Sequence, residues 1–121
     1  MLSHRLRQHA DYQRVYKASR KQFAKQTAYF FMLRSEDAPS ATTGPRIGLT
    51  VPKALGKAVD RNRIKRRLRE AIRRALPLLS VPTDVILHPR RSVLTLPFAT
   101  IEQEVAEIFR TIQKRCGPGS K

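Results

Sequence analysis

The chain has no tryptophan, a single cysteine, five glycines and only nine acidic residues in 121. Each scarcity removes a class of function. Cys116 alone can form neither an internal disulfide nor a thiolate metal cluster, which suits a reducing compartment. Gly44, Gly48 and Gly56 lack the spacing of a phosphate-cradling loop. No apolar run approaches the roughly eighteen residues of a membrane span, and Met1-Leu2-Ser3-His4-Arg5 opens directly into charge rather than into a signal-peptide core. These features predict a soluble cytoplasmic protein. His4, His9 and His88 are scattered, and the acids form no paired arrangement suited to acid/base work. No residue is assigned a catalytic or metal-ligating role on this reading.

What is abundant is positive charge. Against nine acids stand 25 Lys+Arg, giving a net charge of +16 and a pI near 11.4. Such a surface seeks a polyanion. Residues 1–34 hold eight basic and one acidic side chain, and residues 46–76 hold eleven and two. The C-terminal third is nearly balanced. The length fits one domain, residues 1–121, with 1–8 and 117–121 as flexible tails.

Hydrophobic periodicity places the elements. Tyr12, Val15 and Tyr16 share one face of a short helix over 9–18, and the aromatic-rich segment 28–34 reads as a strand. A Pro/Ser/Thr/Gly loop over 37–45 leads to a second strand over 47–51, so the two are expected to pair as a hairpin. A helix over 61–76 follows, with Asp60 as its N-cap and Val59 stapled to Ile64. Asp84-Val85-Ile86-Leu87-His88 forms a third strand. A last helix begins near Thr95, with the stripe Phe98, Ile101, Val105, Ile108, Phe109 and Ile112. The order α, β, β, α, β, α implies an α+β sandwich.

The helix over 61–76 has the most to say about function. Ile64, Leu68, Ala71, Ile72, Ala75 and Leu76 make its apolar stripe. At 100° per residue from Ile64, Lys65, Arg69, Asn62, Arg73 and Arg66 fall at roughly 100° to 200°, opposite that stripe. Arg63, Arg67 and Arg74 flank them. Of nine ionisable residues between Arg61 and Leu76, eight are basic and only Glu70 is acidic. A merely solvated face mixes Lys with Glu at i, i+4 spacing, whereas unpartnered like charges destabilise a helix unless an external polyanion relieves them. Seven of the eight cations are arginine, whose planar fork grips phosphate bidentately and stacks on bases. No aromatic borders this helix, as a membrane-surface helix would require. Nucleic acid is the partner class that fits.

Tyr12, Tyr16, Phe30 and Phe31 are candidate stacking platforms, with core packing as the alternative for each. Strand alternation puts Tyr29 and Phe31 on one face and Phe30 and Met32 on the other, so one pair at most is core.

The stretch Arg46-Ile47-Gly48-Leu49-Thr50-Val51, followed by Gly56-Lys57-Ala58-Val59-Asp60-Arg61-Asn62-Arg63-Ile64-Lys65-Arg66-Arg67-Leu68-Arg69, closely resembles the signature of the bacterial ribonuclease P protein subunit. Asp11-Tyr12-Gln13-Arg14-Val15-Tyr16-Lys17 resembles that family's first helix, and Asp84-Val85-Ile86-Leu87 its last strand. The resemblance implies a single-domain, two-layer α/β sandwich, ribosomal-protein-like, with a left-handed βαβ crossover around the Arg-Asn-Arg helix. It also implies an extra short strand near Lys21 to Gln26. The implied function is to assist a catalytic RNA in removing the 5′ leader of precursor tRNA, with chemistry carried by magnesium held mainly by that RNA. The partners implied are the catalytic RNA and precursor tRNA, with no membrane and no obligate protein partner.

Carried over by position, Lys57, Arg61, Asn62, Arg63, Lys65, Arg66, Arg69 and Arg73 face the catalytic RNA, and Tyr12, Tyr16, Phe31 and Lys53 bind the leader. Three positions depart from the family pattern: Lys57 replaces the usual Asn, Ala54 an additional Lys, and Pro52 a Ser. Two readings compete with this one. The chain is alternatively a structural, ribosome-associated RNA-binding protein without a catalytic partner, or a free-standing nuclease using His4, His9 or His88.

Overall fold

Val15, on the inner side of a ten-residue helix, and the three consecutive apolar residues Val85, Ile86 and Leu87 organise the molecule. In the computed structural model, which describes residues 9–19, 21–33 and 44–116, helix α1 spans His9–Ala18. Strands β1 (Gln22–Phe23), β2 (Thr27–Leu33) and β3 (Arg46–Leu49) follow, then helix α2 (Ala58–Ala75), strand β4 (Thr83–Pro89) and helix α3 (Phe98–Cys116). Short 3-10 turns occupy Lys53–Leu55, Leu76–Leu78 and Arg91–Leu94. The expected tails, His4 and most of the 37–45 loop lie outside the described residues.

The architecture is the expected α+β sandwich, and β1 falls within the extra strand segment. The hairpin expectation is overturned. The sheet order is β1-β2-β4-β3, so β4 separates β2 from β3, antiparallel to the first and parallel to the second. The cause is the Val85-Ile86-Leu87 run, fully buried on both faces; a strand with no polar side belongs at the centre of a sheet, not at its edge. Leu33 at the end of β2 and Arg46 at the start of β3 therefore stand two strand spacings apart, about 10 Å.

Alternation assigns the faces. Tyr29, Ile47, Val85 and Leu87 pack against Ile64, Leu68, Ala71 and Ile72 of α2 and against Ile101, Val105, Ile108, Phe109 and Ile112 of α3. This is the main core, in which truncating fully buried Phe109 to Ala would cost about 3–5 kcal/mol. On the other face Val15 of α1 packs on Ile86, with Tyr12, Phe30 and Met32 around them.

Two helix starts also differ from expectation. α2 begins at Ala58 with Lys57 as an N-cap that makes no side-chain cap bond. Asp60 is not the cap; it lies inside the first turn, where its charge complements the helix dipole, and pairs with Arg91 at 3.6 Å. Val59 is 76% exposed, so the staple to Ile64 does not form. Gly56, at φ +134°, makes the sharp entry, and a Cβ there would collide with the Arg91 guanidinium. α3 starts at Phe98 rather than near Thr95, because Arg91–Leu94 forms its own 3-10 turn first.

Candidate nucleic-acid interface

The sheet face beneath α1 holds the aromatic part of the site. α1 is fixed there by a buried ion network: Arg46 on β3 donates to both carboxylate oxygens of fully buried Asp84 on β4, at 2.9 and 2.8 Å. The same guanidinium reaches Asp11 of α1 at 3.4 Å, and Asp11 also pairs with Arg14. The Asp84 pair bridges Arg46 to its strand neighbour, so one cation ties together two strands and the helix. With Val15 turned inward, Tyr12 and Tyr16 come to lie along the border between α1 and the sheet.

Tyr16 is the hub of that border. Its hydroxyl lies 2.9 Å from His88 Nε2 and 3.4 Å from Thr50 Oγ1, and its ring meets Phe30 edge-on with centroids 4.9 Å apart. The Phe30 and His88 rings are themselves 5.3 Å apart. Burial pushes the His88 imidazole below its ordinary range, and the charge of Lys21 adds to the effect. The Tyr12 hydroxyl donates to the Leu49 carbonyl at 3.4 Å. Burial raises its pKa, partly offset by that hydrogen bond and by the charge of Arg69.

Phe31 is not part of this surface. It sits on the opposite face, stacked on Tyr29 at 6.2 Å and packed against the main core, so the structure does not bring it together with Tyr12 and Tyr16. The ring that joins them is Phe30. Sequence alternation separates Phe30 from Phe31 but does not say which of the two faces carries α1. Lys53 is exposed in the 3-10 turn beyond β3, and Lys57 is exposed at the start of α2.

The cations of α2 sort by their partners. Asn62, Lys65, Arg66 and Arg69 line a shallow, open depression of about 430 Å³ together with exposed Val59. Arg63 is exposed, and half-buried Arg61 donates through Nε to the Gly56 carbonyl at 3.2 Å. Arg73 and Arg74 share Glu70: Arg73 donates to both its oxygens at 3.0 and 2.5 Å, and Arg74 to one at 2.9 Å. Hydrogen bonds from Arg73 first, then Arg74, hold the Glu70 carboxyl down at about 2. Arg67 is structural, donating to the carbonyls of Val93 at 3.0 Å and of Leu96. Its place beside the apolar stripe, roughly 60° before Ile64 on the helical wheel, is the sequence signal for that role.

The two parts adjoin, since the charge of Arg69 on α2 is felt at Tyr12 on α1. Phosphate-binding cations beside exposed ring edges can hold a polynucleotide by its backbone and by its bases together. Among the described residues no group of three His, Cys, Asp or Glu side chains is arranged to hold a metal ion, and no helix is long and apolar enough to cross a membrane.

Comparison with known proteins matches the ribonuclease P family model over residues 2–113. The ribonuclease P protein component of Symbiobacterium thermophilum is 36% identical over 107 residues, covering 88% of this chain and 89% of the relative. That of Maridesulfovibrio salexigens is 33% identical over 117 residues, covering 94% and 91%. Among solved structures, the ribonuclease P protein of Staphylococcus aureus superposes with a TM-score of 0.74 at 27% identity, covering 96% of this chain and all of that one. The Thermotoga maritima protein, at 22% identity and 0.74, covers 88% and 96% and bears on the fold. With a family model spanning nearly its whole length and relatives at 33% and 36% identity, the chain belongs to the ribonuclease P protein component family.

Proposed function

We propose that this chain is the protein subunit of a ribonucleoprotein endoribonuclease that removes the 5′ leader from precursor tRNA in the cytoplasm. α2 binds the catalytic RNA through Asn62, Lys65, Arg66 and Arg69, with Lys57, Arg61, Arg63 and Arg73 around them. The single-stranded leader lies over Tyr12, Tyr16 and Phe30, with Lys53 at the strand exit. The observation that carries this reading is the meeting of an arginine-rich helix face with a partly exposed aromatic cluster: Tyr16 lies edge-on to Phe30, and Tyr12 bonds Leu49 at the strand end from which the chain enters α2.

Among the described residues no three His, Cys, Asp or Glu side chains are grouped to hold a magnesium ion, and most carboxylates are engaged with cations or backbone. Asp11 and Asp84 are held by Arg46, Asp60 by Arg91, Glu70 by Arg73 and Arg74, and Glu104 accepts the Gln26 backbone N–H. We assign magnesium to the RNA partner. The part played by this chain is electrostatic: with a net charge of +16 it lowers the repulsion between leader, tRNA and catalytic RNA.

The test is reconstitution of the full chain with catalytic RNA and precursor tRNA over a magnesium titration. Rescue of cleavage at low magnesium, shrinking as magnesium rises, is the expected result. Cleavage by the protein without RNA, or a benefit independent of magnesium, refutes the assignment.

A further inference from the structure

Phe23 has no place in the interface described so far. It is 69% exposed on a two-residue edge strand, an unusual position for a phenylalanine in a chain with five of them. The strand register fixes where it points. Phe23 pairs with Ala28, and Ala28 with His88, so the three occupy one row across β1, β2 and β4. Directly opposed residues share a face, and His88 faces α1. Phe23 therefore stands on the same side of the sheet as Tyr16 and Phe30, two strand spacings or about 10 Å beyond His88. Ala28 between them is too small to stand in the way.

Charge accompanies the ring. The Lys21 ammonium lies 5.6 Å from the Phe23 centroid, and it is the cation felt at His88. Phe23 sits at the rim: it also borders the depression between β1 and α3, where Glu104 and Glu107 stand with Lys25. A polyanion crossing the sheet meets cations up to Phe23 and carboxylates beyond it.

We propose that Phe23 and Lys21 form a distal station for the same single strand, stacking one base and pairing one phosphate where the leader reaches the β1 edge. This rests on the leader-binding reading above and names the path: Tyr12 and Tyr16, then Phe30 and His88, then Phe23. At a stacked rise of roughly 3.4 Å per nucleotide the last interval of about 10 Å holds about three nucleotides, fewer if the strand is extended. Short leaders cannot reach the station and long ones can.

The experiment uses reconstituted holoenzyme and a series of precursor tRNAs on one tRNA body, with leaders lengthened a nucleotide at a time, together with mature tRNA. Phe23→Ala should bind short-leader precursors and mature tRNA like the parent chain, and should lose about fivefold or more in affinity once the leader passes a threshold length. Phe23→Trp should restore the loss, and Lys21→Gln should lower the salt slope by about 0.7 for long leaders only. Tyr16→Ala serves as the reference, weakening precursors below that threshold as well. If the parent chain and Tyr16→Ala show leader dependence while Phe23→Ala follows the parent at every length, the station is refuted and the leader reading stands. Equal weakening of mature tRNA, or a lowered melting temperature explaining the loss, also refutes it. If the parent chain shows no preference for precursor at any length, the leader reading falls and the station with it.

Discussion

Replacing Lys65, Arg66 and Arg69 together by Ala tests the basic face directly, because all three line one open patch on the solvent side of α2. If each neutralises one phosphate, the slope of log affinity against log salt falls by about 0.7 to 0.9 per residue, hence by about 2 to 3 in total. Between about 50 and 200 mM salt, a fourfold change, the parent chain's advantage over the variant should shrink about 20- to 40-fold. The assay is equilibrium binding to the catalytic RNA over that salt range, with circular dichroism to verify folding. Arg73→Ala supplies a contrast: its guanidinium is shared with Glu70, so its removal should change the slope by less than a full contact. Arg67→Ala should act mainly on stability, since it strips donors from the Val93 and Leu96 carbonyls. Parallel salt lines for the triple variant and the parent would refute the placement of catalytic RNA on this face.

Three further outcomes concern residues of the sheet. Asp84→Asn leaves largely buried Arg46 with only its longer contact to Asp11, and thermal melting should show a loss of about 3 kcal/mol, on the order of 10 °C; a change under about 0.5 kcal/mol would refute the clamp. Phe31→Ala should lower stability by about 2 kcal/mol and weaken precursor and mature tRNA alike, whereas Phe30→Ala should weaken precursor selectively; equilibrium binding to both RNAs separates them. His88 titrates below its ordinary value of 6.5 in the fold, so the unfolded chain takes up its proton first and stability falls as pH drops below about 6.5. Melting temperatures across about pH 5 to 8 should show that acid-side loss in the parent chain and a reduced one in His88→Gln.

The parts legible in sequence are those governed by neighbours along the chain. Tyr12, Val15 and Tyr16 at helical spacing locate α1 over His9–Ala18, and the stripe from Ile101 to Ile112 locates the buried side of α3. What was not legible depends on partners distant in sequence. β2 and β3 each carry the pattern of a strand, but only the three-residue buried run of β4 decides that it inserts between them. Phe30 and Phe31 carry the same chemistry on opposite faces, and the choice between core and interface rests on where α1 docks, which is set by Arg46 reaching Asp84 and Asp11. Asp60 has the composition of a cap, yet the turn at Gly56 and the reach of Arg91 from a later 3-10 turn start the helix earlier.

That insertion of β4 also explains why the aromatic border and the basic helix adjoin. Tyr16 and His88 are 72 positions apart, and they meet because β4 lies beside β2 beneath α1. Because β3 and β4 run parallel, the chain must return through α2 to the opposite end of the sheet, and α2 departs from the end where β3 finishes at Leu49. Leu49 and Thr50, at that end, are the residues that Tyr12 and Tyr16 contact. The basic helix is thereby tethered to the aromatic border by the backbone path itself, a connection of eight residues from Thr50 to Lys57. Changes on the solvent side of α2 should then alter RNA affinity without moving the rings. Loss of the Arg46–Asp84 clamp, which joins β3, β4 and α1, should disturb both contacts together.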